Sequence, residues 1–448
     1  MTALIPSGAT PDSPVGPVPG IDADPFGHEI LDDPSRFQAA LRDAGPVVYL
    51  TKYDVYAMGR YEQVHAALTD WQGFQSGAGV GLSNFRYEKP WRPPSLLLEA
   101  DPPGHDAPRA VLSKIVGQRA LHALRQQWHA DAVALAEQLL SGPPEFDAVP
   151  ALAEAFPLRV FPDAVGIQRQ GREHLLPYGE HLFNAFGPPN GLVAAGTETV
   201  AEHAAWVSAQ CQREALDPGG FGARVWAAAD HGDITPAQAP LIVRSLLSAG
   251  VDTTVHGLGA LLYNLAANPA QWHRLRERPG LARVAFDEAV RLESPVQTFF
   301  RTATTDVRVG DHVILDGRKI LLFLGAANRD PRRWANPGAY DLSRDPSGHV
   351  GFGMGLHQCV GQHVARLEAE ALLHALLPRV REIELAAPAV RLRNNTLRAW
   401  MSVPVRVRAV LPATAWCAPG DPFSRRLPPG RRRSPRPAGA TDARRRAR

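Results

Sequence analysis

The sequence predicts a mainly α protein with a minor β part at each end of the chain. Three observations carry that expectation. From about Glu62 to Leu292 the apolar spacing is mostly helical, broken at Pro and Gly clusters such as "KPWRPPS", "DPPGH", "SGPPEF", "FGPPNG" and "DPGGFG". Ahead of it, "VVYLTKYDVYAMGR" (Val47–Arg60) reads as a small strand pair. Behind it, β-like segments return after Pro295 and again close the fold at "MSVPVRVRAVL".

Each segment follows in order. Residues 1–21 are rich in Pro and Gly and read as an extended arm, without the basic start and apolar core of a secretory signal. In the helical region, "ITPAQAPLIVRSLLSAGVDTTVHGLGALLYNLAANP" (Ile234–Pro269) is long, apolar and studded with small residues, so a helix there is buried nearly all round. A further helix, "LARVAFDEAVRLESP", stops at Pro295. Short strands come next in "TFFRTAT", "VRVG" and "HVILDGRKILLFL", with a turn at Asp316-Gly317, then an irregular stretch from Ala326 to Gly348. A Gly-rich segment leads into a last helix before the closing strands. The body is one domain, 22–411.

Bulk properties narrow the function. Hydrophobic content of 45% and charged content of 21% are ordinary for a globular protein. No run of about 18 apolar residues is present, so no membrane-spanning helix is expected. The three cysteines, Cys211, Cys359 and Cys417, are too few and scattered for a disulfide framework, which favours a reducing, cytoplasmic location. The net charge of +3 hides an asymmetry: residues 411–448 hold ten Arg and two Asp, or +8, leaving the body at −5. The body gives no reason to expect nucleic-acid binding. The basic tail, 412–448, has too few large apolar residues to form a packed core and is expected to be disordered and solvated.

The chemistry concentrates in "HVGFGMGLHQCVGQHVARLEAEALLHAL", His349 to Leu376. Cys359 lies where a Gly-rich turn meets a helix, with Gly353, Gly355 and Gly361 around it. A sulfur near a helix N-terminus is favoured as thiolate. Such a thiolate suits a metal ligand, or a nucleophile with His357 as its base. Zinc or an iron–sulfur cluster needs more cysteines than the chain has; haem needs one axial thiolate. A buried inert Cys is the commonest state of a single cysteine.

Phe352-x-x-Gly355-x-His357-x-Cys359-x-Gly361 resembles the haem-ligand loop of the cytochrome P-450 family. Glu288-x-x-Arg291, "AGVDTT" (Ala249–Thr254) and His105-x-x-x-Arg109 accompany it in the family's order, so the resemblance spans roughly Asp22 to Leu411. It implies a cytochrome P-450 fold, with haem b held between the long central helix and the Cys-ligand helix. It makes Cys359 the iron ligand, with Phe352, Gly353, Gly361, Ala249 and Gly250 against the macrocycle. His105, Arg109, Arg301 and His357 are implied to face the haem propionates, although Asp106 and Pro108 depart from the usual sequence there. Asp252 and Thr253 are the implied acid–alcohol pair that delivers protons during oxygen activation. Glu288 and Arg291, with Arg344 from "YDLSRDP", form the implied structural network.

The pocket is readable further. Arg244, Ser248 and Asp252 recur at i, i+4, i+8, and Ser245 precedes Ser248 by three, which makes one polar strip on an apolar helix. Arg92 and Ser95 lie in the loop that roofs the pocket in the family. Guanidinium suits a carboxylate bidentately, so these residues read as an anion receptor. Leu98, Phe183, Phe186 and Phe299 are the expected walls. At this level the chain resembles the bacterial subfamily that oxidises para-substituted benzoates, through "RPPSLLLEADPP", "LIVRSLLSAGVDTT" and "FGMGLHQCVGQ". The implied activity is hydroxylation or O-demethylation of an aromatic carboxylate such as 4-methoxybenzoate with O2. The alternatives are another small aromatic or cinnamic acid as substrate, a peroxide-driven peroxygenase, or a non-enzymatic haem protein. The implied electron source is a [2Fe-2S] ferredoxin with its NAD(P)H-dependent reductase, docking near His363 and Arg366. A monomer is expected.

Overall fold

Helix Asp252–Ala267 forms a spine: thirteen of its sixteen residues are buried. Helices Ala282–Glu293, Gln362–Leu376 and Leu175–Asn184 pack on it. These and the neighbouring Gln118–Leu140 and Ala155–Val165 helices share one large apolar core. The computed structural model describes residues 17–410. The predicted tail at 412–448 and the first sixteen residues of the predicted arm lie outside the described residues.

The β part is a six-stranded sheet in the order Gly20–Ile21, Val48–Leu50, Val55–Met58, Lys319–Phe323, Thr298–Ala303, Phe74–Gln75. The expected strand pair at 47–60 is antiparallel there, and Val55–Met58 runs parallel to Lys319–Phe323. The sheet thus joins the first strands of the chain to those that follow Pro295. Strand Lys319–Phe323 is buried along its whole length, as its unbroken apolar run requires. Gly317 turns the chain into it with φ +76°. A second sheet orders Val380–Leu385, Pro404–Ala409 and Glu145–Asp147. The strand at Glu145–Asp147, inside what reads as a Pro-broken helical region, was not expected; pairing with Pro404–Ala409 overrides its local sequence.

The sequence reads 234–269 as one long helix. The structure divides it into Ala239–Ala249 and Asp252–Ala267, with Gly250 and Val251 outside both. Two hydroxyls cap the loosened carbonyls: Thr253 Oγ1 donates to Ala249 O (2.8 Å) and Thr254 Oγ1 to Gly250 O (3.3 Å). Regular backbone bonding resumes at Val255 N to Val251 O. Side-chain donors competing for helical carbonyls bend or open a helix, which is what happens here. Burial nearly all round holds for the second half only, because the first half shows one face to a cavity.

Candidate active site

Cys359 sits in a tight loop whose backbone is built by glycine. Gly353 and Gly355 both have φ of +66°, in the left-handed region. At Gly355 a Cβ would fall 2.8 Å from Leu68 O and 2.9 Å from Thr69 Cα, so only glycine lets the loop lie against helix Tyr61–Thr69. Cys359 N donates to Phe352 O (2.8 Å) and closes the turn. Helix Gln362–Leu376 begins three residues on, with Gly361 as its N-cap. Burial pushes the Cys359 thiol up, while the N–H groups of Gly361 and Gln362 and the charges of Arg109 and Arg366 favour thiolate. A cation on the sulfur tips that balance, because coordination deprotonates such a thiol. Cys211 is an ordinary buried thiol, donating to Val207 O (3.1 Å) and pushed up to about 12 by burial.

The sulfur faces a cavity of about 1780 Å³, open mouth included. Phe352, Gly353, Gly361, Ala249, Gly250 and Thr253 line it with Cys359.

Around it stand donors without partners. His105 is fully buried, and neither ring nitrogen has a hydrogen-bond partner. The Asp106 carboxylate is 3.9 Å from its Nδ1, too far for a hydrogen bond. Burial, His357 and Arg109 push His105 down to about 4. Arg109 lines the cavity with its pKa lowered by burial. Arg301 also lines it, lowered to about 10 by burial, and its hydrogen bond goes to the adjacent Phe300 O (2.9 Å). His357 departs from expectation. Its nitrogens are taken by Leu97 O (3.1 Å) and Asp101 Oδ1 (3.2 Å), so it ties the cysteine loop to the roof loop rather than reaching for an anion. Burial would raise Asp101, but His357 and the Gly77 and Ser76 N–H groups hold it below the carboxylate range.

On the other wall, Arg92, Ser95, Leu98, Phe183, Phe186, Arg244, Ser245, Ser248 and Phe299 all line the same cavity. Phe186 stacks edge-on with Phe183 (5.8 Å between centroids) and Phe299 (6.0 Å). The two guanidiniums converge on one carbonyl: Pro93 O accepts from Arg92 Nη1 (3.0 Å) and Arg244 Nη2 (2.9 Å). Sequence reasoning missed Glu99, whose buried carboxylate is 3.0 Å from Arg92 Nη1. Two arginines against one carboxylate leave a local +1. Ser95 Oγ accepts from Leu97 N and Leu98 N and lies 3.5 Å from Ser245 Oγ, which donates to Leu241 O (3.0 Å).

Asp252 does not join this strip. The helix break rotates it off the cavity, and Thr253 takes the cavity-facing position. The Asp252 carboxylate pairs instead with His256 Nε2 at 2.8 Å. Spacing of i, i+4 on one helix made that partner legible, yet the sequence reading did not use it.

Below the cysteine loop, Glu288 and Arg291 are fully buried and bidentate, 2.7 and 2.9 Å. Arg344 Nε reaches Glu288 Oε1 at 3.0 Å. Arg291 also donates to the carbonyls of Asn328, Pro337 and Ala339. Arg366 does not belong to an exposed basic patch as expected: it is buried, paired with Asp287 (2.7 Å) and stacked over Phe352 (4.6 Å), while His363 is exposed.

Over 398 residues the chain is 55% identical to "Cytochrome p450 CYP199A2" of Rhodopseudomonas palustris, covering 89% of this chain and 97% of that protein. The chain belongs to the cytochrome P450 family. The family profile described as Cytochrome P450 matches residues 281–386. A "Beta-dihydromenaquinone-9 omega-hydroxylase" of Mycobacterium tuberculosis is 30% identical over 382 residues, covering 84% of this chain and 76% of that one. Among solved structures, cytochrome P450 CYP109Q5 from Chondromyces apiculatus superposes with a TM-score of 0.73 at 28% identity, covering 87% and 99% of the two chains. The fold is the P450 fold, and the P450 is a monooxygenase that uses haem with a cysteine thiolate on the iron. Its residues fit that cofactor. A Gly-shaped loop puts one thiol in the wall of the cavity, and His105, Arg109 and Arg301 leave donors for two carboxylates. No described helix is long and apolar enough to cross a membrane.

Proposed function

We propose that this P450 hydroxylates or O-demethylates a para-substituted benzoate such as 4-methoxybenzoate, with Cys359 as its iron ligand. The observation that carries the reading is the +1 cluster of Arg92, Arg244 and Glu99 beside Ser95, Ser245 and Ser248, set in an otherwise aromatic and aliphatic cavity. Bound haem supplies the activation of dioxygen, one atom of which enters the substrate.

The chain's own residues do the rest. The arginine–serine cluster takes the carboxylate, where charge-assisted bonds are strong. Burial holds Arg244 below its usual pKa, with Tyr178 partly offsetting it, so a buried anion would restore the charge's environment. Phe183, Phe186 and Phe299 clamp the ring and exclude water. Thr253 Oγ1 spends its proton on Ala249 O and so is left to accept a hydrogen bond from the cavity side. Asp252 is the acid behind it. Electrons come from a [2Fe-2S] ferredoxin and its NAD(P)H-dependent reductase, since the sequence carries no flavin, nicotinamide or iron–sulfur fingerprint of its own.

A spectral titration of the holoenzyme tests the substrate class. 4-Methoxybenzoate is expected to displace water and shift the spin state at far lower concentration than its amide, because a site built for hydrogen bonds discriminates by up to ~10⁴–10⁵. Equal affinity for acid and amide would overturn the carboxylate reading.

A further inference from the structure

The helix break leaves a buried histidine that the reading above does not use. His256 is 6% exposed and lies one turn past Asp252, with its Nε2 2.8 Å from Asp252 Oδ1. The distance is that of an ion pair, although the N–H is not aligned along it. Asp252 Oδ2 and His256 Nδ1 are buried and have no hydrogen-bond partner. Across from the pair, Gly179 of helix Leu175–Asn184 approaches so closely that a Cβ there would be 2.9 Å from Asp252 Cβ and 3.0 Å from Oδ2. Any side chain at 179 would drive the carboxylate out of this position.

Three carboxylates act on the imidazole. Asp252 is on its own helix, Glu180 on the helix carrying Gly179, and Glu154 ends the π-helical turn Val149–Glu154. Burial opposes charge on His256, yet these acids outweigh it and raise its pKa. Burial likewise raises Glu180 and Glu154, each partly offset by His256. Both glutamates are half-buried and so reach solvent.

We propose that His256 is the positioning residue and proton source for Asp252: as imidazolium it holds the carboxylate on the side away from the cavity, and it re-arms that acid after each proton delivery. In the transfer, the Nε2–H bond breaks and an O–H bond forms on Asp252, which leaves a neutral imidazole and a neutral acid. Nδ1 keeps its proton and the bare nitrogen is Nε2; a flip of the ring turns Nε2 away from Asp252, and it then takes a proton from solvent through Glu180 or Glu154, which restores the imidazolium. The proposal rests on the reading of Asp252 and Thr253 as the proton-delivery pair.

Two measurements on the holoenzyme test it. The first needs no turnover. A raised folded pKa means that the His256–Asp252 contribution is fully present below the ordinary His range and is lost as pH rises through the folded value. The stability advantage of wild type over His256→Phe is therefore expected to shrink as pH rises through and above the ordinary histidine range. The second measures how NAD(P)H consumed divides between product and hydrogen peroxide. His256→Phe is expected to keep benzoate affinity but lose about 10²-fold in product rate, with peroxide rising, the lower end of the effect of losing a proton-transfer group. Where the Phe variant folds poorly, Glu180→Gln serves instead, and the pH midpoint of coupling is expected to move down. A constant Tm gap, or coupling and midpoint equal to wild type, overturns the proposal. Unchanged coupling in Thr253→Ala sinks the pair reading itself; uncoupling by Thr253→Ala but not by His256→Phe sinks only the role of His256.

Discussion

Two polar clusters in this molecule are equally buried and differ in one respect. In the Glu288–Arg291–Arg344 network, Arg291 makes five hydrogen bonds and both Glu288 oxygens are used. At the cavity and behind the helix break beside it the pattern reverses: His105 and Arg92 Nε on the one side, and Asp252 Oδ2 and His256 Nδ1 on the other, have no hydrogen-bond partner. A buried polar group without a partner costs about 1–3 kcal/mol. The satisfied cluster holds the irregular chain under the cysteine loop in one shape. The unsatisfied groups mark where something other than the chain completes the structure.

That contrast can be broken at each cluster. The largest effect is expected at the junction between them. Cys359→Ser should abolish both turnover and the long-wavelength Soret band of the reduced carbon monoxide complex, which reports thiolate ligation; retention of the band would remove Cys359 from its assigned place. Next comes the satisfied side. Arg291→Ala leaves Glu288 buried with Arg344 alone, and breaking such a pair costs about 3–5 kcal/mol. Urea unfolding and haem content should both fall. Arg344→Ala should cost less, because Arg344 makes only one of the two arms and is partly exposed.

A second buried ion cluster adds a pH test. Glu293 lies among Arg391, Arg398 and Arg329, and although burial opposes them they hold it down at about 2. A depressed folded pKa means that the contribution is fully present above the ordinary carboxylate value and is lost as pH falls toward 2. Wild type should therefore lose stability across that acid window. Glu293→Gln should be less stable at neutral pH and show a flatter acid profile, measured by denaturant midpoints at each pH.

The contrast also separates what the sequence made legible from what it did not. The cysteine loop and the Glu288–Arg291 pair were legible because their geometry is local: fixed spacing within ten residues, or i, i+3 on one helix. Arg244, Ser245 and Ser248 were legible from helical spacing, and Arg92, Ser95 and Leu98 through the family resemblance of the roof loop. Asp252 was assigned to the wrong face because periodicity assumes an unbroken helix, and the break at Gly250–Val251 shifts the phase by less than a turn. Glu99 and Asp101 were missed because each gains its meaning from a fold-back: Glu99 meets Arg92 within the roof loop, and Asp101 meets a histidine 256 residues away. The balance of burial against charge at Cys359 has no sequence signature either, since it depends on how far the loop is sunk.

On the unsatisfied side, the two arginines should separate. Arg244→Leu removes one guanidinium and leaves the Arg92–Glu99 pair intact. Losing a charge-assisted bond is worth about 1.5–3 kcal/mol, so acid affinity should fall roughly 10- to 150-fold, with little change in unfolding. Arg92→Leu additionally leaves the Glu99 carboxylate buried without its ion-pair partner. It should lose acid affinity and stability together, and a stability equal to wild type would mean that Glu99 finds another donor.

The smallest expected effect discriminates best between a scaffold group and a waiting one. Three serines face the cavity, and they differ in what they already hold. Ser95 Oγ accepts from two backbone N–H groups and orders the roof loop, so Ser95→Ala should disturb both loop and ligand. Ser245 Oγ is engaged by Leu241 O, and the chain alone gives it a partner. Ser248 lines the cavity and makes no side-chain hydrogen bond among the described residues. Ser248→Ala should therefore leave the Tm unchanged. If its hydroxyl meets the carboxylate, the variant should lose one net hydrogen bond, about 0.5–1.5 kcal/mol, or roughly 2- to 13-fold in acid affinity. The matching amide should lose less, since a neutral acceptor makes the weaker bond. An equal loss for acid and amide would make Ser248 a packing contact, and the anion site would then rest on the arginines and Ser95 alone.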